Sequence, residues 1–506
     1  MSSTQERAPA GHAAMTLVAT GLGLFMVLMD ATITNVALPS IQSDFGVGES
    51  GLQWVVAAYS VTMAMFMMTS ASLSDAHGRK RAYLTGIVIF CGASLVCGLA
   101  PSVSVLNIAR GIQGMGAAVV TVASLALVGA AYPDRASKAK ALGLWTGIAS
   151  VGLAIGPTLG GLLTDSVGWR WIFLVNLFVG AFAIVLTVVF VSESSGSAHH
   201  SFDPVGQILF IVGIGGLTYA LVQAPVDGLG APAIYVPMIT ATVVLVGFVA
   251  YELRSNDPMM EMRLFRSPPY TAAILTAFAV LFCGYGALLV TTQYFQNIDQ
   301  YSAAETGLLL LVFSLPNMVM APVAGRLSAR FGGRQPTLAG VALVGVGSAV
   351  LAYGAGGALW LTLVGLALLG MGIGMAIATS TAMAMTDIDE GRSGMASGIL
   401  NSQRALGSTA GFAVMGSVLA LVVSAQLPSD LEGVIADADE RAAVVADVVS
   451  AANPQAVPSV IAPAASDKSS DTISRADVIA AADDAFVAGI RLAEVTGVLV
   501  ALVAFV

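Results

Sequence analysis

Apolar runs about as long as a lipid bilayer is thick recur along this chain from Met15 to Val506, and no other feature restricts its fold so tightly. A hydrocarbon core of about 30 Å takes roughly 20 residues of helix to cross. Inside that core every backbone N–H and C=O must be bonded within the protein, which makes a helix the element for runs of this length. Fourteen segments are read, at about 15–38, 50–72, 82–100, 103–129, 139–163, 170–191, 204–224, 231–251, 270–296, 303–325, 335–354, 357–385, 393–423 and 485–506. Composition agrees: 57% of residues are hydrophobic and 10% charged, whereas a soluble domain carries roughly 25% charged residues, so a soluble enzyme is excluded. The residues before Met15 are polar, and no small-residue cleavage site follows the first run, so that run reads as a retained membrane helix and not a secretory signal. Apolar sequence continues to Val506 without a polar tail, and the expectation is a natural chain that extends past it.

Lys and Arg in short loops set orientation. Arg79, Lys80 and Arg81 follow the second segment, Arg135, Lys138 and Lys140 the fourth, Arg254, Arg263 and Arg266 the eighth, and Arg326, Arg330 and Arg334 the tenth. These loops share one side, the opposite short loops are nearly free of basic residues apart from Arg170, and both termini are expected in the cytoplasm. The segment from about 426 to 484 would then face outward. Residues 430–484 hold eleven acidic and three basic residues, so most of the net charge of -9 belongs to this one loop, read as partly disordered chain or short amphipathic helices.

Residues 71–80 (ASLSDAHGRK) resemble residues 325–334 (GRLSARFGGR), and each copy sits second in a run of six segments. The expected class is an all-α polytopic membrane protein: an N-terminal six-helix lobe over 1–192, two inserted helices within 193–269, and a C-terminal six-helix lobe over 270–506 that includes the acidic loop. Cys91, Cys97 and Cys283 lie in apolar runs without metal or redox spacing and read as packing residues. No Gly-rich loop ending in Lys-Ser/Thr supports ATP use, no basic surface points to nucleic acid, and neither cofactor nor metal is expected.

Four motifs carry chemistry. Residues 28–39 (LMDATITNVALP) place Asp30 midway along the first run, where a carboxylate costs several kcal/mol unless neutralised, paired or hydrated. Desolvation favours its neutral form, which suits Asp30 to alternate between protonated and anionic states; an Asp snorkelling to the interface would sit nearer an end. In residues 71–80, Gly78 permits a tight turn, and Arg79 and Lys80 mark the positive side. Residues 106–118 (LNIARGIQGMGAA) carry Arg110, charged at any relevant pH, with Gly114 and Gly116 spaced for helix packing; snorkelling is the alternative for Arg110. Residues 152–161 (GLAIGPTLGG) combine Gly152, Gly156, Gly160 and Gly161 with Pro157, which removes a backbone donor; such a helix packs closely and bends. Residues 168–176 (GWRWIFLVN) follow and mark the outer interface, the depth that tryptophans favour.

Together these motifs resemble the fourteen-helix drug:proton antiporter branch of the major facilitator superfamily, over nearly the whole chain, and most closely its actinobacterial multidrug exporters. The resemblance implies two six-helix lobes alternating access to a central cavity. It assigns proton coupling to Asp30 and Arg110, the cation influencing protonation of the acid. It assigns gating to the 71–80 motif, where Asp75 would cap a helix of the opposite lobe with Gly78, Arg79 and Lys80 beside it, and to the antiporter pattern of Gly152, Gly156, Pro157, Gly160 and Gly161. This chain departs from the family by having Ala71 for the first Gly and Ala76 for the usual Arg, which weakens the expected latch. Residues 394–407 (GMASGILNSQRALG) place Asn401 where some relatives carry a further carboxylate, which puts selectivity for dications in doubt.

Arg404 follows Arg392 by twelve residues, roughly 18 Å into its helix. No acidic partner stands out in the cores of the last six segments. It is read either as a contact for an acidic part of the substrate or as bonded to Gln403, Asn401 or backbone carbonyls. Tyr59, Trp145, Tyr285, Gln293, Tyr294, Asn317, Asn401 and Arg404 are the candidate cavity lining, each with packing as the alternative role.

The expected function is export of amphipathic drugs or related small molecules by proton antiport, driven by the proton gradient alone, from the bacterial inner membrane. The expected partners are those substrates, protons and lipids, with the chain a monomer. The alternatives are export of an endogenous lipid, siderophore or metabolite and, further off, proton symport.

Overall fold

The computed structural model describes residues 10–132, 135–194, 203–227, 230–255, 258, 260, 262–386, 393–432, 434–435, 438–451 and 475–505. Its elements are α1 (Ala10–Phe45), α2 (Glu49–His77), α3 (Arg79–Gly98), α4 (Val103–Ala131), α5 (Arg135–Val167), α6 (Trp171–Phe190), α7 (Pro204–Asp227), α8 (Pro232–Glu252), α9 (Pro268–Gln293), α10 (Ala303–Leu309), α11 (Leu311–Phe331), α12 (Arg334–Gly354), α13 (Leu359–Thr386), α14 (Ser393–Asp430), α15 (Ala438–Ala451) and α16 (Arg475–Phe505). No strand occurs among the described residues. Among the described residues, thirteen helical stretches are long and apolar enough to cross a membrane, and α2 adds a shorter apolar core over Gly51–Met67. With α10 and α11 taken as one interrupted span, the fourteen expected segments are present.

The helices outrun the apolar segments at several ends. Polar turns carry α1 on to Phe45, α2 to His77 and α14 to Asp430, and α16 starts at Arg475, ten residues before the expected 485. α9 continues through a π-helical turn, Tyr294–Ile298. Part of the acidic loop is folded: Val444 and Val448, one turn apart on α15, are buried with Leu427, Leu431, Ile435 and Val478.

α1 to α6 pack among themselves, as do α9 to α14 with α16. The repeat found in sequence has a shared geometry, because Gly78 (φ 100°) ends α2 and Gly332 (φ 78°) ends α11, each with a backbone torsion that a side chain disfavours. α7 lies along the seam of the two lobes. Near its start the Gln207 amide donates to the Met65 carbonyl of α2 at 2.9 Å, and near its end the Leu221 carbonyl accepts from Ser417 of α14 at 2.9 Å. α8 packs on α7 and turns Val243 and Val246 outward, each about two-thirds exposed, as Phe178 of α6 also is. Such apolar faces are at home in lipid.

Candidate functional site

Asp30 is fully buried inside the N-terminal lobe, and the chain surrounds it with donors. Its Oδ2 accepts from Arg110 Nη1 of α4 at 2.5 Å. Its Oδ1 accepts from the Gln113 amide at 2.9 Å and from the Asn176 amide of α6 at 2.7 Å. Ser94 of α3 accepts from Gln113 in turn, at 2.7 Å. Arg110, 1% exposed, also donates from Nε to the Val55 carbonyl of α2 at 2.9 Å and from Nη1 to Gln113 Oε1 at 2.6 Å, with its guanidinium 4.2 Å from the centre of the Tyr59 ring. Helical spacing explains part of this: Arg110 and Gln113 stand three residues apart on one face of α4. Snorkelling is therefore not what Arg110 does. Both ions keep neutral or backbone partners besides each other.

Tyr59 is a member of this network rather than an open lining residue. It is 1% exposed and donates to the Val27 carbonyl at 3.1 Å, the bond that a buried phenol needs. Gln113, Asn176 and Ser94 were not singled out from sequence, although the first two stood inside quoted motifs. Uncharged polar residues in apolar helices give a weak signal.

The glycines of α5 work on two fronts. Side chains at Gly152, Gly156 or Gly160 would collide with α1, at Phe25, Thr32 and Ile33 respectively. Pro157 has no N–H for the Leu153 carbonyl, and the Thr32 hydroxyl of α1 reaches that carbonyl at 3.4 Å. Gly161 instead faces the other lobe, where a Cβ would collide with the Ala303 carbonyl of α10, while Gly307 packs on the Pro157 carbonyl. The same end of the bundle, opposite the basic loops, is sewn together by Thr158 donating to the Gly307 carbonyl (3.1 Å) and Gln296 donating to the Val36 carbonyl (3.0 Å). Asp165 accepts from the Ala304 N–H (2.8 Å), so an anion meets the first turn of α10.

At the basic-loop end, Gly78 makes the expected turn, and Lys80 and Arg81 engage their own lobe. Glu193, after α6, accepts from the Lys80 N–H at 2.9 Å and lies 3.8 Å from Arg81, and the Lys80 ammonium donates to the Val188 carbonyl at 3.1 Å. The Arg79 N–H donates to the Ser194 carbonyl at 2.8 Å. The Asp75 side chain lies outside the described residues. At the other end, Asp44 accepts from Trp169 (3.1 Å) and Arg170 (2.8 Å) of the tryptophan motif.

The remaining candidates are dispersed. Trp145 is buried against Leu17, Leu24 and Ala149, Tyr294 and Gln293 are buried at the end of α9, and Asn317 is half-buried on α11 with its backbone against Gly374. Tyr285 meets Phe412 edge-on at 5.9 Å, in the apolar cluster that joins α9 and α14 to Val55 and Val56 of α2. Asn401 and Arg404 form a pair: Nη1 of Arg404 donates to Asn401 Oδ1 at 3.0 Å, and Nη2 bonds Thr381 and approaches the Ile377 carbonyl at 3.5 Å. Arg404 Nε has no partner among the described residues. The C-terminal lobe does hold a core acid, contrary to the sequence reading: Glu494 of α16 is fully buried.

Two helical lobes, the first enclosing an ion pair and both jacketed in apolar side chains, define a multi-pass membrane protein. The Major Facilitator Superfamily model matches residues 20–412, and the chain belongs to that family. It is 47% identical to the multidrug resistance protein Stp of Mycobacterium tuberculosis, over 95% of this chain and 88% of the relative. It is 39% identical to the drug efflux pump JefA of the same species, over 95% of this chain and 94% of the relative. In fold it is similar to a bacterial homologue of the human lysosomal transporter Spinster, solved inward-facing and unoccupied, with a TM-score of 0.64, 17% identity and coverage of 98% of this chain and 96% of that one.

Proposed function

We propose that this transporter exports amphipathic drugs or related small molecules in exchange for protons, working as a monomer in the bacterial inner membrane with both termini and the basic loops in the cytoplasm. The observation that carries the coupling is the buried Asp30–Arg110 pair with its reserve partners. A buried ion pair broken by removing one charge ordinarily leaves the other stranded, at a cost of about 3–5 kcal/mol. Here each ion has partners besides its counter-ion, since the Gln113 and Asn176 amides bond the Asp30 carboxyl and Arg110 holds the Val55 carbonyl, Gln113 and the Tyr59 ring, and these keep the site in shape through proton exchange.

The signal has a route outward. Val55 belongs to the cluster containing Leu289 and Phe412 of the opposite lobe, so a shift of Arg110 against α2 is felt at the seam. The drug-efflux names of the Mycobacterium tuberculosis relatives support the cargo class. Arg404, with one donor to spare, is the candidate contact for an acidic group on substrate, and no cofactor enters the scheme.

The test is substrate-driven pH change in proteoliposomes, comparing the native chain with Asp30→Asn. Loss of coupled proton movement with retained folding is expected; normal coupled export by the variant removes Asp30 from the mechanism.

A further inference from the structure

Of the four acids buried among the described residues, Asp30, Asp203, Glu252 and Glu494, only Asp30 and Glu494 have no exposure at all, and the surroundings of Glu494 differ from those of Asp30 in one decisive respect. It is fully buried in the C-terminal lobe, and neither carboxyl oxygen has a hydrogen-bond partner among the described residues. Ser348 of α12 lies beside it without completing a bond, and Gly497, one turn on, packs against that serine and brings its carbonyl to Cys283 of α9 at 3.2 Å.

The facing helices supply no cation. On its own helix, Arg491 reaches the Ala355 carbonyl at the end of α12, at 2.9 Å. Asp477, Asp483 and Asp484 stand ten or more residues back on α16, roughly 15 Å or farther along the helix. On α12 the titratable residues are Arg334, at its far end, and Tyr353, 82% exposed. On α9 they are Tyr270, Cys283 and Tyr285, followed by Tyr294 in the π turn, and α14 has none between Arg404 and Asp430. An isolated carboxylate in such a place is strongly disfavoured, and the group takes a proton instead. A metal ion needs several oxygen ligands, and no group of three or more His, Cys, Asp or Glu side chains is suited to hold one among the described residues.

We infer that Glu494 is a second proton-binding site, separate from Asp30, serving the same antiport cycle; the part concerning transport rests on the proton coupling proposed above. Depth sets the side from which it is served. Ser348 lies seven residues in from Ala355, about 10 Å along α12 from the end opposite the basic loops. Arg491 stands at that end, one turn of α16 before the acid. Glu494 is therefore loaded from that end and discharges when movement of α16 against α9 and α12 admits water.

Infrared difference spectra of the full-length protein across a pH series read this directly, with no substrate needed. The C=O stretch of a protonated carboxylic acid is expected in the native chain, fading as pH rises and missing in Glu494→Gln. Glu494→Asp, which keeps the acid, is expected to retain it. A spectrum in which Glu494→Gln removes no such band, or removes one that never titrates, overturns the proposal. The Asp30→Asn variant separates the two readings, since the Glu494 band is expected to survive in it whether or not coupled transport does. In proteoliposomes, Glu494→Gln is expected to lower the number of protons moved per substrate by about half while Asp30→Asn abolishes coupling. An unchanged ratio in Glu494→Gln overturns the transport role of Glu494 and leaves Asp30 untouched.

Discussion

At residue scale, Asp30→Asn exchanges an oxygen for an NH2 group, yet whichever way the amide turns a donor faces a donor, either Arg110 or the Gln113 and Asn176 amides. The variant is expected to lose about 3–5 kcal/mol of stability. Adding Arg110→Gln removes the stranded cation and is expected to recover more than half of that loss, with no return of proton coupling. Thermal unfolding in detergent, as a double-mutant cycle, measures both. Asp30 and Arg110 were legible in sequence because charges inside apolar runs are few and costly. Glu494 also stands mid-run, but Arg491 one turn before it offers a local ion-pair partner in sequence, and only the structure shows that Arg491 turns to the Ala355 carbonyl instead.

At element scale, the contact of α5 with α1 depends on the absence of side chains. Gly156→Ala forces a methyl into the Thr32 hydroxyl and is expected to cost about 1–3 kcal/mol. Thr32→Ala in the same chain is expected to restore most of it, again read by thermal unfolding. A Gly156→Ala variant as stable as the native chain refutes the close seam. The sequence placed all fourteen spans because hydropathy reports residence in lipid. It lost the ends of α1, α2, α14 and α16 because polar turns that continue a helix beyond the bilayer carry no such signal. The interruption at Leu310 and the π turn at 294–298 were invisible for another reason: no Gly or Pro stands at either position.

At the scale of the molecule, the bonds between α5 and α10 describe a closed end. Cysteines at Asp165 and Ala304 are expected to cross-link in this arrangement and to halt transport reversibly until reduced. Gly161→Val, which pushes a side chain at Ala303, is expected to lower the cross-linking yield several-fold. Cross-linked protein that transports at the native rate rules out movement at this end. The two-lobed plan was readable from the paired 71–80 and 325–334 segments, whose glycines share a torsion only because both copies end a second helix. The partner of the first copy, Glu193, was not readable, since nothing local ties residue 193 to residue 80.

The inserted α7 is tied to both sides of the divide, to Met65 and Thr69 of α2 toward one end and to Ser417 of α14 toward the other. It runs like a diagonal brace across a hinge. Rotation of the lobes must either swing about that brace or snap one of its ties, so the range of travel is set by a helix that belongs to neither half.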